Sequence, residues 1–213
     1  MSPSKAHPVV LGFLGGIASG KTTVARMFAD LGARVVSADE LGHAVLAQPQ
    51  IRGRIVARWG KEVLDEGGEV DRKKLGRRVF GDGEELRALE AITHPAILAE
   101  MRRQIGAARR AAGVAVVVDA PLLMEADLDS LCDALVFLEC PREARLARAV
   151  ARGWDAAELE RRERFQRPLE VKRRRASFIL ESGASLETTF QQVQELWQRL
   201  LGQRRKRRKR RGT

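Results

Sequence analysis

The feature that most constrains the fold of this chain is the run Gly15–Thr22, which fits the pattern G-x-x-x-x-G-K-[ST]. Such a loop needs a strand before it and a helix after it, because the N–H groups of the turn and of the helix N-terminus bind phosphate together. The preceding run Val9–Leu14 is apolar apart from Gly12, and the apolar residues of 24–31 recur at helical spacing. The sequence therefore predicts a strand, a phosphate loop and a helix in that order.

The residues of this loop are expected to bind the phosphates of a nucleoside triphosphate. Lys21 is predicted to reach the β and γ phosphates, and the Thr22 hydroxyl to complete the coordination of a Mg²⁺ ion that bridges them. The alternative is that the pattern occurs by chance in a glycine-rich loop, and the flanking strand and helix patterns argue against it. The predicted ATP-binding residues are Gly15, Gly16, Ile17, Ala18, Ser19, Gly20, Lys21 and Thr22.

The composition indicates one globular domain rather than a membrane protein or a disulfide-stabilised one. The 213 residues are 44% hydrophobic, which allows a substantial core. No apolar stretch approaches the roughly 18 residues of a membrane span, and Met1–Pro8 lacks the apolar segment of a secretion signal. We therefore expect a cytoplasmic protein. Cys132 and Cys140 are expected to be buried thiols, and the three scattered histidines argue against a zinc site.

Most of the net charge of +11 lies in the uninterrupted basic run Arg204–Arg211, without which the chain carries +3. Like charges at this density repel one another and bury no apolar face, so residues 204–213 are predicted to form a disordered basic tail. Two interpretations of the tail stay open. We favour a solvated extension without a selected partner over weak, salt-dependent binding to RNA or to anionic surfaces.

Apolar runs that alternate with helical patterns indicate a three-layer α/β fold, in which helices cover both faces of a parallel five-stranded sheet. The segment of about 40–112 is expected to be a small helical lobe, in which Pro95 marks a break between helices. The charged segment of about 142–175 is either an exposed, salt-bridged helix pair or a mobile lid. The predicted strands are Val9–Leu14, Arg34–Ser37, Val114–Val118, Ala134–Leu138 and Phe178–Leu180.

Two aspartates that follow predicted strands are candidates for chemistry on the phosphates. Asp39 lies just past the second predicted strand, and ligands of open parallel sheets collect beyond the carboxyl ends of the strands. It is the candidate for the group that accepts the proton of an attacking hydroxyl, with helix capping as the alternative. Asp119 follows the run Val114–Val118, and we expect it to hold Mg²⁺ directly or through water.

Several segments resemble the dephospho-CoA kinase family in the order expected for it. The likeness covers roughly Val9–Leu200 and leaves the first residues and the basic run outside. The matching segments are Gly15–Phe28 with Leu31–Ala33, Ala38–Asp39 with His43, Asp71–Phe80, Ile92–Pro95, Asp119–Glu125, Arg148, Arg152–Trp154, Gln166 and Lys172.

The resemblance implies transfer of the γ-phosphate of ATP to the 3′-hydroxyl of dephospho-CoA, which gives CoA and ADP in the last step of coenzyme A biosynthesis. It also implies a fold of the nucleoside-monophosphate-kinase type, with residues 1–203 as a single kinase domain that carries a helical CoA-binding lobe and a lid. Asp39 matches the aspartate that is proposed as the general base in this family. The resemblance implies Lys21 as the second catalytic residue. His94 would face the acceptor, with a buried, hydrogen-bonded role as the alternative. The candidate lid arginines are Arg148, Arg152, Arg161 and Arg162.

The sequence departs from the family pattern at several positions. Ser37, Ser177 and Ser182 stand where Asp, Asp and Asn are usual, and Leu98 stands where Arg often follows the His-Pro pair. The loop lysine and the candidate base are kept. The departures therefore concern the contacts to adenine and to the acceptor more than the reaction.

Three other functions fit the same residues. A phosphate-loop kinase for another nucleoside or nucleotide would keep the loop and the base. The basic run favours a nucleotide-dependent RNA-binding protein, and the departures favour a module that binds ATP without transferring phosphate. Transfer to dephospho-CoA distinguishes the first interpretation from these alternatives.

Overall fold

The computed structural model describes residues 7–79 and 82–211, of which 203–211 are described by their backbone alone. These residues form two compact units. The first consists of the chain up to Val36 together with the chain from Gln104 onward, and the second is Ser37–Arg103. The second unit corresponds to the predicted helical lobe, whose expected limits of about 40–112 lie further along the chain at both ends.

The first unit is built on a five-stranded parallel sheet, as the sequence predicts. Its strands are β1 (Val9–Gly15), β2 (Arg34–Ser37), β3 (Ala115–Asp119), β4 (Ala134–Glu139) and β5 (Phe178–Glu181). The strand order is β2–β3–β1–β4–β5, with β1 paired in parallel to β3 on one side and to β4 on the other. Because parallel strands end at the same edge, the carboxyl ends of these three central strands meet where the phosphate loop begins.

The main core of the first unit lies between the sheet and two helices, α1 (Lys21–Asp30) and α9 (Leu186–Arg211). Alternate residues of β1 face these helices because successive side chains of a strand point to opposite faces. The ring centroids of Phe13 and Phe28 lie 5.7 Å apart, and the ring centroids of Phe28 and Trp197 lie 6.3 Å apart. This cluster joins the helix that follows the phosphate loop to the last helix of the chain.

The charged segment of about 142–175 forms three short helices rather than the predicted pair. They are α6 (Arg142–Val150), α7 (Ala156–Glu163) and α8 (Leu169–Arg175). Gly153, with φ of +81°, lies between the first two, and Asp155 caps α7 by accepting the Glu158 N–H at 2.7 Å. The pattern missed this division because a glycine and a capping residue separate α6 from α7 without a proline.

The second unit is helical, as predicted for the lobe. Its helices are α2 (Ala38–Leu46), α3 (Pro49–Trp59), α4 (Arg72–Val79) and most of α5 (Gly83–Arg110), with a short 3-10 turn at Lys61–Val63. They enclose a separate core of buried residues, namely Val45, Ile51, Ile55, Trp59, Val63, Leu75, Val79 and Ile92.

Pro95 does not break the helix that contains it, so this part of the prediction was wrong. Helix α5 continues through Pro95. Ile92 before the proline and Ala96 and Ile97 after it all pack on the core of the second unit. A proline inside a helix costs about 3 kcal/mol, which the packing of apolar residues on both sides offsets.

Helix α9 continues through the backbone of Arg204–Arg211, where the like charges of the sequence predict disorder. Its earlier turns are fixed by the buried side chains of Val193, Trp197 and Leu200. Lys and Arg are good helix formers, so a helix that is nucleated on packed turns extends into the basic run. Residues 212 and 213 of the predicted tail lie outside the described residues. Neither α9 nor any other helix in the described ranges is long and apolar enough to cross a membrane.

Candidate functional site

The phosphate loop joins β1 to α1 in a conformation that two glycines make possible. Gly15 (φ +142°) and Gly20 (φ +91°) have backbone angles that L side chains rarely adopt, and Ala18 lies in the left-handed region with φ of +60°. The Ser19 N–H donates to the Gly16 carbonyl at 3.2 Å and closes the turn. Because the N-cap Gly20 has no side chain, the N–H groups at the start of α1 are free to bind an anion.

Lys21 is buried and folds back over this loop. Its Nζ donates to the carbonyls of Gly16 at 2.8 Å and Gly15 at 3.2 Å. Burial, followed by repulsion from Lys172, lowers the pKa of Lys21 from 10.5 to about 8, and the nearby carboxylate of Asp119 opposes this shift. A phosphate anion at the loop would favour the protonated form of this lysine.

Ser182, which follows β5, and Arg148, on α6, both form hydrogen bonds with the phosphate loop. The Ser182 Oγ donates to the Ser19 carbonyl at 2.7 Å, and the Ser182 carbonyl accepts from Arg148 Nη2 at 2.6 Å. Arg148 Nη1 also lies 3.4 Å from the Ala18 carbonyl. Ser182 is thus one departure from the family pattern that has a local role, and Arg148 is the candidate lid arginine that contacts the loop.

Arg145, one turn earlier on α6, lies against the same loop. Its side chain is buried, and its Nη1 pairs with the carboxylate of Glu163 on α7. A Cβ built on Gly16 would lie 2.8 Å from Arg145 Nη1 and 3.0 Å from its Cζ. The guanidinium group therefore occupies the space that a side chain at position 16 would need.

A buried ion pair lies on another side of the loop lysine. Lys172, on α8, is 2% exposed, and its Nζ lies 3.1 Å from Glu125 Oε1 and 2.9 Å from Gln166 Oε1. The same Glu125 oxygen accepts the Arg167 N–H at 2.7 Å, whereas Oε2 is buried without a hydrogen-bond partner. Lys172 and Glu125 both act on the pKa of Lys21, so this pair belongs to the electrostatic surroundings of the phosphate loop.

The oxygen donors predicted for Mg²⁺ lie on α1, which follows the phosphate loop, and on β3, which pairs with β1. Asp119 is the last residue of β3 and is buried, and Thr22 lies in the first turn of α1 with its side chain exposed. Within the described residues, no three His, Cys, Asp or Glu side chains form a metal site.

The other candidate lid arginines do not bond to the loop in the contacts described. Arg161 and Arg162 both pair with Glu158 on their own helix α7. The guanidinium group of Arg162 also stacks over the Trp154 ring, 4.1 Å from its centroid. Arg152 is exposed on the turn after α6.

The two acceptor-side candidates lie in the second unit. Asp39 is an exposed residue in the first turn of α2, and the N-cap is Ser37, whose Oγ accepts the Glu40 N–H at 3.4 Å. Capping is therefore not the role of Asp39. His94 is exposed on α5, so the alternative of a buried, hydrogen-bonded histidine was wrong.

The second unit also has an open groove with a volume of about 400 Å³. The residues that line it are Trp59, Glu62, Val63, Lys74, Arg77 and Arg78. The three cationic side chains outnumber the single carboxylate of Glu62, so the groove suits a ligand that carries negative charge.

Sequence reasoning missed Arg145, Glu163 and Glu125 as neighbours of the phosphate loop. The available signal was the spacing of Arg145 and Arg148, because residues three apart share one face of a helix. That signal is weak in a segment where most helical turns carry a charge, and the pairing with Glu163 depends on how α6 and α7 pack.

Comparisons with known proteins agree with this loop and sheet. The model of the dephospho-CoA kinase family matches residues 9–188. The dephospho-CoA kinase of Syntrophotalea carbinolica is 42% identical over 196 residues, which cover 91% of this chain and 92% of that protein. The enzyme of that name from Carboxydothermus hydrogenoformans is 37% identical over 193 residues, or 89% and 93% of the two chains. The solved dephospho-CoA kinase of Campylobacter jejuni superposes with a TM-score of 0.70 and 25% identity, over 90% of this chain and 96% of its own. The chain belongs to the dephospho-CoA kinase family.

Proposed function

We propose that this chain transfers the γ-phosphate of ATP to the 3′-hydroxyl of dephospho-CoA, with CoA and ADP as products. The observation that carries the proposal is the buried Lys21 ammonium bonded into the phosphate loop, in a chain of this family. Transfer of a phosphoryl group depends mainly on positioning and on neutralising charge, and this loop provides both.

In this reaction, the 3′-oxygen of the acceptor attacks the γ-phosphorus and the bond to the β–γ bridging oxygen breaks. Lys21 would leave the carbonyls of Gly15 and Gly16 and bind the β and γ phosphates. The N–H groups of the loop and of α1 would bind the remaining phosphate oxygens. Asp39 would accept the proton of the 3′-hydroxyl, a role supported by its free position in the first turn of α2.

Thr22 and Asp119 are the residues that we propose for Mg²⁺. When bound, the ion would neutralise part of the charge on the β and γ phosphates. The cations of the groove in the second unit support an acceptor with negative charge, such as the diphosphate of dephospho-CoA.

The test is a coupled assay of ADP and CoA formation from ATP, magnesium and dephospho-CoA. Asp39→Asn should lower kcat by about 10²- to 10⁴-fold with little change in the Kd of ATP, because it removes a general base and keeps the shape. Glu40→Gln is the matched control, since Glu40 is the neighbouring exposed acid on the same turn. Lys21→Ala should weaken both ATP binding and transfer.

Two results would count against this function. If the purified chain forms neither product at high enzyme concentration, the proposed reaction is wrong. If the enzyme consumes ATP faster with another nucleoside or nucleotide as the acceptor than with dephospho-CoA, the proposed acceptor is wrong. The proposed chemistry at the phosphate loop would then still hold.

A further inference from the structure

Arg145 is an unusual residue for a charged helix at a protein surface. Arginine side chains are seldom fully buried unless they are paired, and Arg145 is 5% exposed. Its neighbour Arg142 also contacts Glu163, at 3.7 Å, but has 47% of its side chain exposed. Among the described residues, Glu163 is the one polar partner of the Arg145 side chain, and the Arg145 Nε is buried without a hydrogen-bond partner.

The guanidinium group of Arg145 lies against the phosphate loop at Gly16. The loop pattern leaves position 16 open to any residue, and Gly16 is not among the glycines with positive φ. Its backbone therefore does not require glycine. A side chain at this position would instead meet Arg145, whose Nη1, Cδ and Cζ lie 2.8, 3.0 and 3.0 Å from the place of a Cβ.

The donors of Arg145 differ from those of its neighbour Arg148. Arg148 gives its N–H groups to the carbonyls of Ala18 and Ser182, so its role within the described contacts is to hold the backbone. Arg145 instead brings a buried donor with no protein acceptor to the loop that binds phosphate. Its charge also contributes to lowering the pKa of Lys21, after burial and Lys172.

We propose that Arg145 is a catalytic residue whose guanidinium group contacts the phosphates of the nucleotide in the loop, and that Glu163 is the positioning residue that aims it. This inference rests on the proposed function. The planar guanidinium group can bind phosphate oxygens through paired N–H donors while Glu163 keeps Nη1. Lys21 and Arg145 together would then stabilise the negative charge on the transferring phosphoryl group.

The test compares Arg145→Gln and Arg145→Lys with the control Arg142→Gln, which removes a cation from the same helix. We expect Arg145→Gln to lower kcat by about 100-fold or more, while the KM of dephospho-CoA changes little. Arg145→Lys keeps the charge but loses the paired donors, so it should recover part of kcat. Glu163→Gln should lower kcat less than Arg145→Gln does, and Arg142→Gln should stay near wild type.

Equilibrium binding separates this inference from the proposed function. Arg145→Gln should weaken the binding of ATP, measured without any acceptor, and leave the binding of adenosine unchanged. A wild-type protein that fails to phosphorylate dephospho-CoA but shows this difference would refute the reaction and support the phosphate contact. The inference is overturned if folded Arg145→Gln, by circular dichroism and thermal unfolding, keeps wild-type kcat and ATP affinity. It is also overturned if Arg145→Gln and Arg142→Gln have equal effects.

Discussion

Breaking the buried pair between Lys172 and Glu125 should cost substantial stability, and replacing Lys172 by methionine tests this. Methionine fills nearly the same volume but leaves Glu125 without its cation. Removing one partner of a buried ion pair typically costs about 3–5 kcal/mol, because the remaining charge is desolvated and uncompensated. Here the Arg167 N–H still bonds to Glu125 Oε1, and Lys21 remains nearby.

A second effect acts in the opposite direction. Lys172 is a positive charge that lowers the pKa of Lys21, so its removal lets that pKa rise toward 10.5. Protonated Lys21 then costs less in the folded state at pH 7, which returns part of the lost stability. The net loss should therefore fall at the lower end of the range, about 3 kcal/mol. For a chain of this size that corresponds to a fall in Tm of about 6–12 °C.

Equilibrium unfolding in urea measures the free energy directly, and an unchanged m-value would indicate that the denatured state is the same. Arg173→Met is the matched control, because Arg173 is on the same helix and pairs with Glu139 at 2.9 Å, with both side chains about half exposed. An exposed pair of this kind should contribute about 0–1 kcal/mol. In the double variant Lys172→Met/Glu125→Gln no unpaired carboxylate remains, so part of the stability should return. If Lys172→Met costs no more than Arg173→Met, the electrostatic reasoning is wrong.

Three further predictions concern the core, a thiol and the basic run. Gly12→Ala should lower the free energy of unfolding by about 1–3 kcal/mol, because the new Cβ would lie 2.6 Å from Leu123 Cδ2 and 2.7 Å from Cys132 Sγ; a wild-type urea midpoint would contradict this. Burial raises the pKa of the Cys132 thiol to about 12, so iodoacetamide at pH 8 should modify it far more slowly in the folded protein than in urea, as followed by mass spectrometry. Comparable rates would refute the shift. Deleting residues 204–213 should leave kcat and Tm unchanged, because the buried side chains Val193, Trp197 and Leu200, which fix α9 in the described part of the chain, all precede them. The deletion should also abolish any RNA binding that weakens steeply with salt. RNA binding that survives the deletion would point to a basic surface elsewhere.

The sheet and the phosphate loop were predictable because the information for them is local. The apolar runs of the five strands and the residues from Gly15 to Thr22 each specify their own conformation, and the structure has them in the predicted order. Lys21 follows from the same local pattern, because the loop determines where its side chain can reach.

The rest of the site depends on contacts between distant segments, which a single sequence does not encode in a recognisable pattern. Arg145 is one of many arginines in its segment, and only the packing of α6 against the loop distinguishes it from Arg142. The predicted helix break at Pro95 was wrong for a related reason. The sequence shows the local cost of a proline in a helix, but it does not show the packing on both sides of that proline. The helical backbone of Arg204–Arg211 likewise depends on the packed turns that precede it.

The bond from Ser182 Oγ to the Ser19 carbonyl has a consequence for how the protein is made. It joins the phosphate loop to a residue that is synthesised 163 positions later. Closing a connection over so long a stretch of chain is slow compared with forming a helix. A nascent chain that ends at α8 lacks both β5 and this hydroxyl, so its loop should bind ATP poorly although every residue of the loop motif is present. The ability to hold nucleotide should thus appear only after β5 and Ser182 have been made, long after the loop itself.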